Sequence, residues 1–205
     1  QYVNDNNIIL DPFIKAFILA ALLEESFKFL SFKFFFYDKN KIFEPLDCIL
    51  IAGAISLGFA TTENLLFVIN IGIIQSGIEG GYAVALSRMF TAIPGHASLG
   101  IIMGYVASTF KFGYRNQTNF IIYVLGVPVI IHGLYNFLFF QNDSAIYSLI
   151  VLVLSVLFAY RALKIQKTTS PDEILNFDKE YNTFSSFISD ESNINKIVYK
   201  GILYI

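Results

Sequence analysis

A single cysteine, Cys48, leaves the chain without an internal disulfide and without a thiolate pair at metal-binding spacing, so a disulfide scaffold and a thiolate zinc site are both excluded. Charge is scarce as well. Only 15% of the 205 residues are charged, against about 25% in an ordinary soluble domain. The 14 basic and 16 acidic residues sum to −2 with both signs spread along the chain, which leaves no electrostatic footprint for nucleic acid. There is no HExxH metal motif, no internal repeat and no low-complexity run. The start carries neither a basic n-region nor a small-residue cleavage site, so the sequence reads as a fragment whose parent has further spans upstream.

What is present is apolar. Hydrophobic residues make up 55% of the chain, 22 of them Phe, and the mean hydropathy is +0.59. That composition predicts an all-α polytopic membrane bundle set in a lipid bilayer. Five segments are long enough to span, at 12–36, 46–74, 82–110, 119–140 and 145–163. Pro94 and Pro128 fall inside the third and fourth, where each removes a helical hydrogen bond and is expected to bend its helix. Two domains result: a transmembrane domain over 1–163 and a polar tail over 164–205, with a short helix expected from "SPDEIL". Lys33, Lys39 and Lys41, then Lys111 and Arg115, then Arg161, Lys164 and Lys167 all fall on one side, while the alternate loops hold only Glu79 and Asp143. The basic side is expected to be cytoplasmic, which puts the C-terminus there as well, in a multi-pass protein of a bacterial cell membrane. "AGAISLGFA" and "GIIMG" set small residues four apart at Ala52, Ser56 and Ala60 and at Gly100 and Gly104, the pattern of close helix packing.

Against this background the ionisable residues stand out. Glu24, Glu25 and Lys28 lie in the first span, Glu63 and Asn64 in the second, Arg88 and His96 in the third, His132 and Asn136 in the fourth. Three unpaired intramembrane carboxylates would cost on the order of 8–10 kcal/mol on insertion scales. Counted from the outer boundary at 1.5 Å per residue, the ionisable groups fall at depths of roughly 9 to 21 Å, so antiparallel spans bring them to one level. Lys28 is three and four residues from the two glutamates and can neighbour either, while the other faces a cavity. Carboxylates with histidines in a semi-dry pocket suit water activation, with a histidine or an Asn amide donating to a developing oxyanion. The same set is able to hold Zn²⁺ through Glu63, His96 and His132 with a water in the fourth position.

"EESFK" (24–28), "GFATTEN" (58–64), the Arg88-to-His96 spacing and "HGLYN" (132–136) follow one another in a fixed order. Together they resemble the PrsW family of intramembrane proteases, related in pattern to CAAX prenyl proteases and bacteriocin-immunity membrane proteins. Lys28 and the Glu63–Asn64 pair favour the PrsW side over the EExxxR pattern of the CAAX branch. The resemblance implies an endopeptidase that clips membrane-anchored proteins such as anti-sigma factors, with Glu24, Glu25, Glu63, His96 and His132 as active-site residues. Lys28, Asn64, Arg88 and Asn136 would support them. One of Glu24 and Glu25 would activate water, His96 and His132 would polarise the carbonyl or hold a metal, and Arg88 would balance charge. The competing readings are an ion- or proton-coupled transporter, disfavoured by the nearly bare inner half of the spans and the lack of inverted repeats, and a non-catalytic scaffold or immunity protein.

Overall fold

The computed structural model describes residues 11–39, 41–113, 116–141 and 145–169; the polar segment from 170 onward, including the helix expected at "SPDEIL", lies outside the described residues. Every regular element among the described residues is helical. Helix α1 is wound as a π-helix over Ile14–Leu22 and as an α-helix over Leu23–Phe35. Helix α2 covers Pro45–Phe67 and runs on as a π-turn over Val68–Ile73. Helices α3 (Ile74–Phe90), α4 (Ala92–Lys111), α5 (Phe120–Phe140) and α6 (Ala145–Thr169) follow.

Local chemistry sets several of these boundaries. Pro45 occupies the first turn of α2, where its missing N–H has no partner to lose, and the Asp47 carboxylate accepts from the backbone of Phe43 at 2.9 Å and of Glu44 at 3.1 Å. Gly77 adopts φ 73°, a conformation open to glycine at little steric cost, and there the chain reverses. The span expected at 82–110 is divided at Thr91, whose φ of −117° ends α3 and lets α4 begin. Pro94 therefore sits in the first turn of α4 and costs no helical hydrogen bond, whereas Pro128 is interior to α5 as expected. Helix α6 continues through Thr169, past the boundary read at 163.

By length and composition, three described runs can cross a membrane: Pro45–Lys111, Gln117–Phe140 and Ile146–Gln166. The first has 67 residues, more than three times the roughly 20 that one crossing of a roughly 30 Å core requires. It folds back at Gly77 into two antiparallel arms. Contacts step along them from Gly104 against Cys48 and Ile49, through Gly100 against Ala52 and Ser56, to Gly81 against Gly72. The small residues four apart are thus the seam of this hairpin. Helix α1 is missing from these apolar runs because Glu24, Glu25 and Lys28 interrupt it, yet it packs along α5 and α2.

Burial is inverted relative to a water-soluble protein. Phe27 is 63% exposed while its neighbour Lys28 is 2% exposed, and Leu19, Leu65, Ile122 and Leu154 also face outward. Lipid chains cover such side chains at no cost, so polar groups gather inside, where they can pair. One end of the bundle nevertheless holds an apolar core of Phe29, Phe32, Cys48, Ala52, Met103, Phe110, Phe120 and Val124. The polar groups lie beyond it.

Candidate functional site

Five helices bring the buried polar residues together. On α1, Glu25 and Lys28 are three residues apart and form a fully buried ion pair, Nζ to Oε1 at 2.6 Å. Lys28 Nζ also lies 2.8 Å from Nδ1 of His96 on α4, and 4.7 Å above the Phe59 ring of α2. The opposite nitrogen of His96 meets Oε2 of Glu63 at 2.8 Å. Arg88 of α3 donates through Nη2 to the same Glu63 oxygen at 2.8 Å and through Nε to the Asn64 side-chain oxygen. From α5, His132 places Nδ1 2.8 Å from Glu25 Oε1. The two imidazole planes stand at 89°, with centroids 5.6 Å apart.

Neighbouring residues hold these groups in place. Ser56 donates to the His96 carbonyl at 2.6 Å, tying the first turn of α4 to α2. Gly133, beside His132, leaves room for the Phe17 ring; a Cβ there would come within 2.7 Å of the ring's Cγ. That close approach of α1 to α5 lets Glu25 reach His132.

Glu24 is the exception within this network. It is adjacent to Glu25 on the helix and so points about 100° away from it. It lines a cavity of about 540 Å³ together with Glu63, Arg88, His96, His132 and Asn136. Its Oε2 is buried and has no hydrogen-bond partner, and the His132 Nε2 stands 3.9 Å from it, too far for a hydrogen bond. Glu25 Oε2 is also unpartnered, but Glu25 is wholly buried and does not line the cavity.

All nine residues singled out in the sequence lie in or against this cluster, with distinct positions. Glu24, Glu63, Arg88, His96, His132 and Asn136 reach the cavity, Glu25 and Lys28 lie behind it, and Asn64 contacts Arg88. Sequence reasoning missed Phe59 beneath Lys28, and Tyr135 and Thr91 in the cavity wall. Tyr135 follows His132 by three residues, a spacing that puts both on one helix face and could have marked it.

Donor chemistry and spacing both fit a divalent cation. Ligand atoms of Glu24, Glu63 and His96 all lie within 4.8 Å of one another, and the unpartnered Glu24 oxygen is the kind of acceptor a cation or a reacting water satisfies. This compact set contains Glu24 where the sequence pointed to His132, whose Nδ1 meets Glu25 instead.

Fold and cluster together define a polytopic helical membrane protein that buries carboxylates and imidazoles against a cavity within its spans. A family model described as PrsW family intramembrane metalloprotease matches residues 4–161. The chain belongs to this PrsW family. It is 33% identical over 144 residues to Protease PrsW of Geobacillus kaustophilus, covering 70% of this chain and 60% of that protein. Protease PrsW of Oceanobacillus iheyensis is 34% identical over 161 residues, covering 77% and 70%, and that of Bacillus subtilis 30% over 149 residues, covering 72% and 64%. The chain thus spans about 60–70% of the length of these relatives. No solved structure matches it.

Proposed function

We propose that this chain is an intramembrane endopeptidase that hydrolyses a peptide bond of a membrane-anchored protein, of the anti-sigma-factor kind that the family resemblance implies. The observation that carries the reading is the buried, unpartnered Glu24 Oε2 at the cavity wall, 3.9 Å from His132 Nε2. Family membership and the chain's likeness to Protease PrsW of Geobacillus kaustophilus support it.

In this mechanism Glu24 takes a proton from a water held between its Oε2 and His132 Nε2, and the water oxygen bonds to the scissile carbonyl carbon. The Asn136 amide in the same cavity wall donates to the oxyanion that forms. As the C–N bond breaks, Glu24 passes its proton to the departing amine. Glu63 orients His96, and Arg88 balances the Glu63 charge. Glu24, Glu63 and His96, with His132 alongside, would hold a divalent ion such as Zn²⁺, which when bound supplies Lewis acidity to the carbonyl and the water. The apolar remainder of the cavity wall, including Ile71, Val84, Leu99 and Leu152, suits a substrate segment drawn from the bilayer.

In the proposed orientation the basic loops and the tail beyond 164 are cytoplasmic. Lys111 donates to the Tyr37 carbonyl at 3.1 Å, which joins the first two basic loops at one end of the bundle. The test is cleavage of a membrane-tethered reporter by purified protein in liposomes. Glu24→Gln is expected to slow it by about 10²–10⁴-fold; cleavage at the wild-type rate would end the protease reading.

A further inference from the structure

The cavity wall carries several side-chain donors, and most are committed within the protein. Arg88 spends Nη2 on Glu63 and Nε on Asn64. His96 meets Lys28 with one ring nitrogen and Glu63 with the other, and His132 Nδ1 meets Glu25. The Ser155 hydroxyl donates to the Leu152 carbonyl at 2.8 Å. Thr91, at the break between α3 and α4, donates its one hydroxyl proton to the Ser87 carbonyl at 2.9 Å. Tyr135 is committed only to another hydroxyl. It projects from α5, lines the same cavity as Glu24 and His132, and meets the Thr91 side chain. Because the Thr91 proton is already used, Thr91 Oγ1 is the acceptor in that pair and Tyr135 the donor. The Tyr135 ring is stacked on Phe139, with centroids 6.2 Å apart and planes at 10°. The ring is thus held, while the O–H can turn about its C–O bond.

We propose that Tyr135 is a catalytic residue whose hydroxyl donates to the oxyanion of the tetrahedral intermediate, beside the amide of Asn136. The assignment rests on the protease reading. Before reaction the phenol O–H lies on a neutral hydroxyl. Once the water oxygen has bonded to the carbonyl carbon, the oxyanion offers an acceptor that bears charge. A hydrogen bond to an ionised acceptor is roughly twice as strong as a neutral one, so exchanging Thr91 for the oxyanion favours the transition state over the bound substrate. Tyr135 keeps its proton throughout. The electron pair on the oxyanion returns to the carbonyl as the C–N bond breaks, and the amine leaves with the proton carried by Glu24. The hydroxyl then goes back to Thr91. Adjacent residues of α5, three and four positions beyond His132, thereby supply two donors to one oxygen.

The test is cleavage of the tethered reporter in liposomes by Tyr135→Phe, which keeps the ring on Phe139 and removes only the hydroxyl. Its kcat is expected to fall by about 10²–10³-fold, with little change in KM and a melting temperature near that of wild type. With 3-fluorotyrosine at position 135 the O–H is more acidic and a stronger donor, and kcat is expected to rise above wild type by about two- to threefold. A Tyr135→Phe protein with the wild-type kcat overturns the proposal, and so does a loss confined to KM or to melting temperature. If Tyr135→Phe does not fold, the fluorinated protein decides, and a kcat at or below that of wild type overturns the assignment. Wild type that leaves the reporter intact ends the protease reading and the assignment with it. Wild type that cleaves beside an equally active Tyr135→Phe ends the assignment alone.

Discussion

At one end of the bundle α2 and α4 touch backbone to backbone; at the other they separate around charged groups. Near Gly104 an added Cβ would come within 2.6 Å of Ile49 Cα, and around this contact lies the apolar core of Phe32, Met103 and Phe110. About two turns further along each helix, the same seam reaches Ser56 and His96, and beyond it Glu63 and Arg88 beside a cavity of about 540 Å³. Inside a bilayer, helices gain little from hiding apolar surface, so small residues that permit close packing carry association. The tight end can therefore serve as the frame against which the polar end stays open. Substitutions at the two ends should fail differently, one by losing structure and the other by losing chemistry.

The sharpest contrast lies within the polar end, between adjacent glutamates. Glu24→Gln removes the carboxylate at the cavity wall and should lower cleavage by about 10²–10⁴-fold while stability is unchanged or higher, since no hydrogen bond to Oε2 is lost. Glu25→Gln removes the counter-charge of a fully buried lysine and should destabilise the fold by about 3–5 kcal/mol. Thermal unfolding in detergent beside reporter cleavage separates the two. If Glu25→Gln melts like wild type, the division between reacting and supporting glutamate is wrong.

Neighbouring the pair, the sequence already pointed to much of this arrangement. The coincidence of depth across four spans anticipated that Glu24, Glu25, Glu63, His96 and His132 would meet, because a buried charge in lipid has to find partners. The small-residue spacing at Ala52, Ser56, Gly100 and Gly104 likewise anticipated the seam. Which glutamate Lys28 would take was not legible, since spacings of three and four both bring side chains together on a helix. Nor was the break at Thr91, where α3 gives way to α4 three residues before Pro94. The π-winding of Ile14–Leu22 has no residue signature that separates it from an ordinary apolar helix.

At the tight end the expected loss is structural. Gly104→Leu drives a branched side chain into the backbone of Cys48 and Ile49, neither of which can rotate away, and should cost about 1–3 kcal/mol or more. Per folded molecule, cleavage should persist, because Gly104 contacts no group of the polar cluster. A stable Gly104→Leu protein would mean that the seam is looser than its geometry.

The smallest effect distinguishes packing from helix propensity on the same seam. Gly58 and Gly100 are both interior to helices, yet a Cβ at Gly58 meets nothing within 4 Å, while one at Gly100 would lie 2.7 Å from the Ala52 carbonyl oxygen. Alanine at either site gains roughly 0.5–1 kcal/mol of helix preference over glycine. At position 58 that gain is unopposed, so Gly58→Ala should raise the melting temperature slightly and leave cleavage at the wild-type rate. At position 100 the methyl group must push the helices apart near Ser56, whose hydroxyl holds the His96 carbonyl at 2.6 Å. Gly100→Ala should therefore lower stability and cleavage together, although it lies one turn beyond His96. Equal melting temperatures for the two alanine variants would remove close approach as the reason for glycine in this seam.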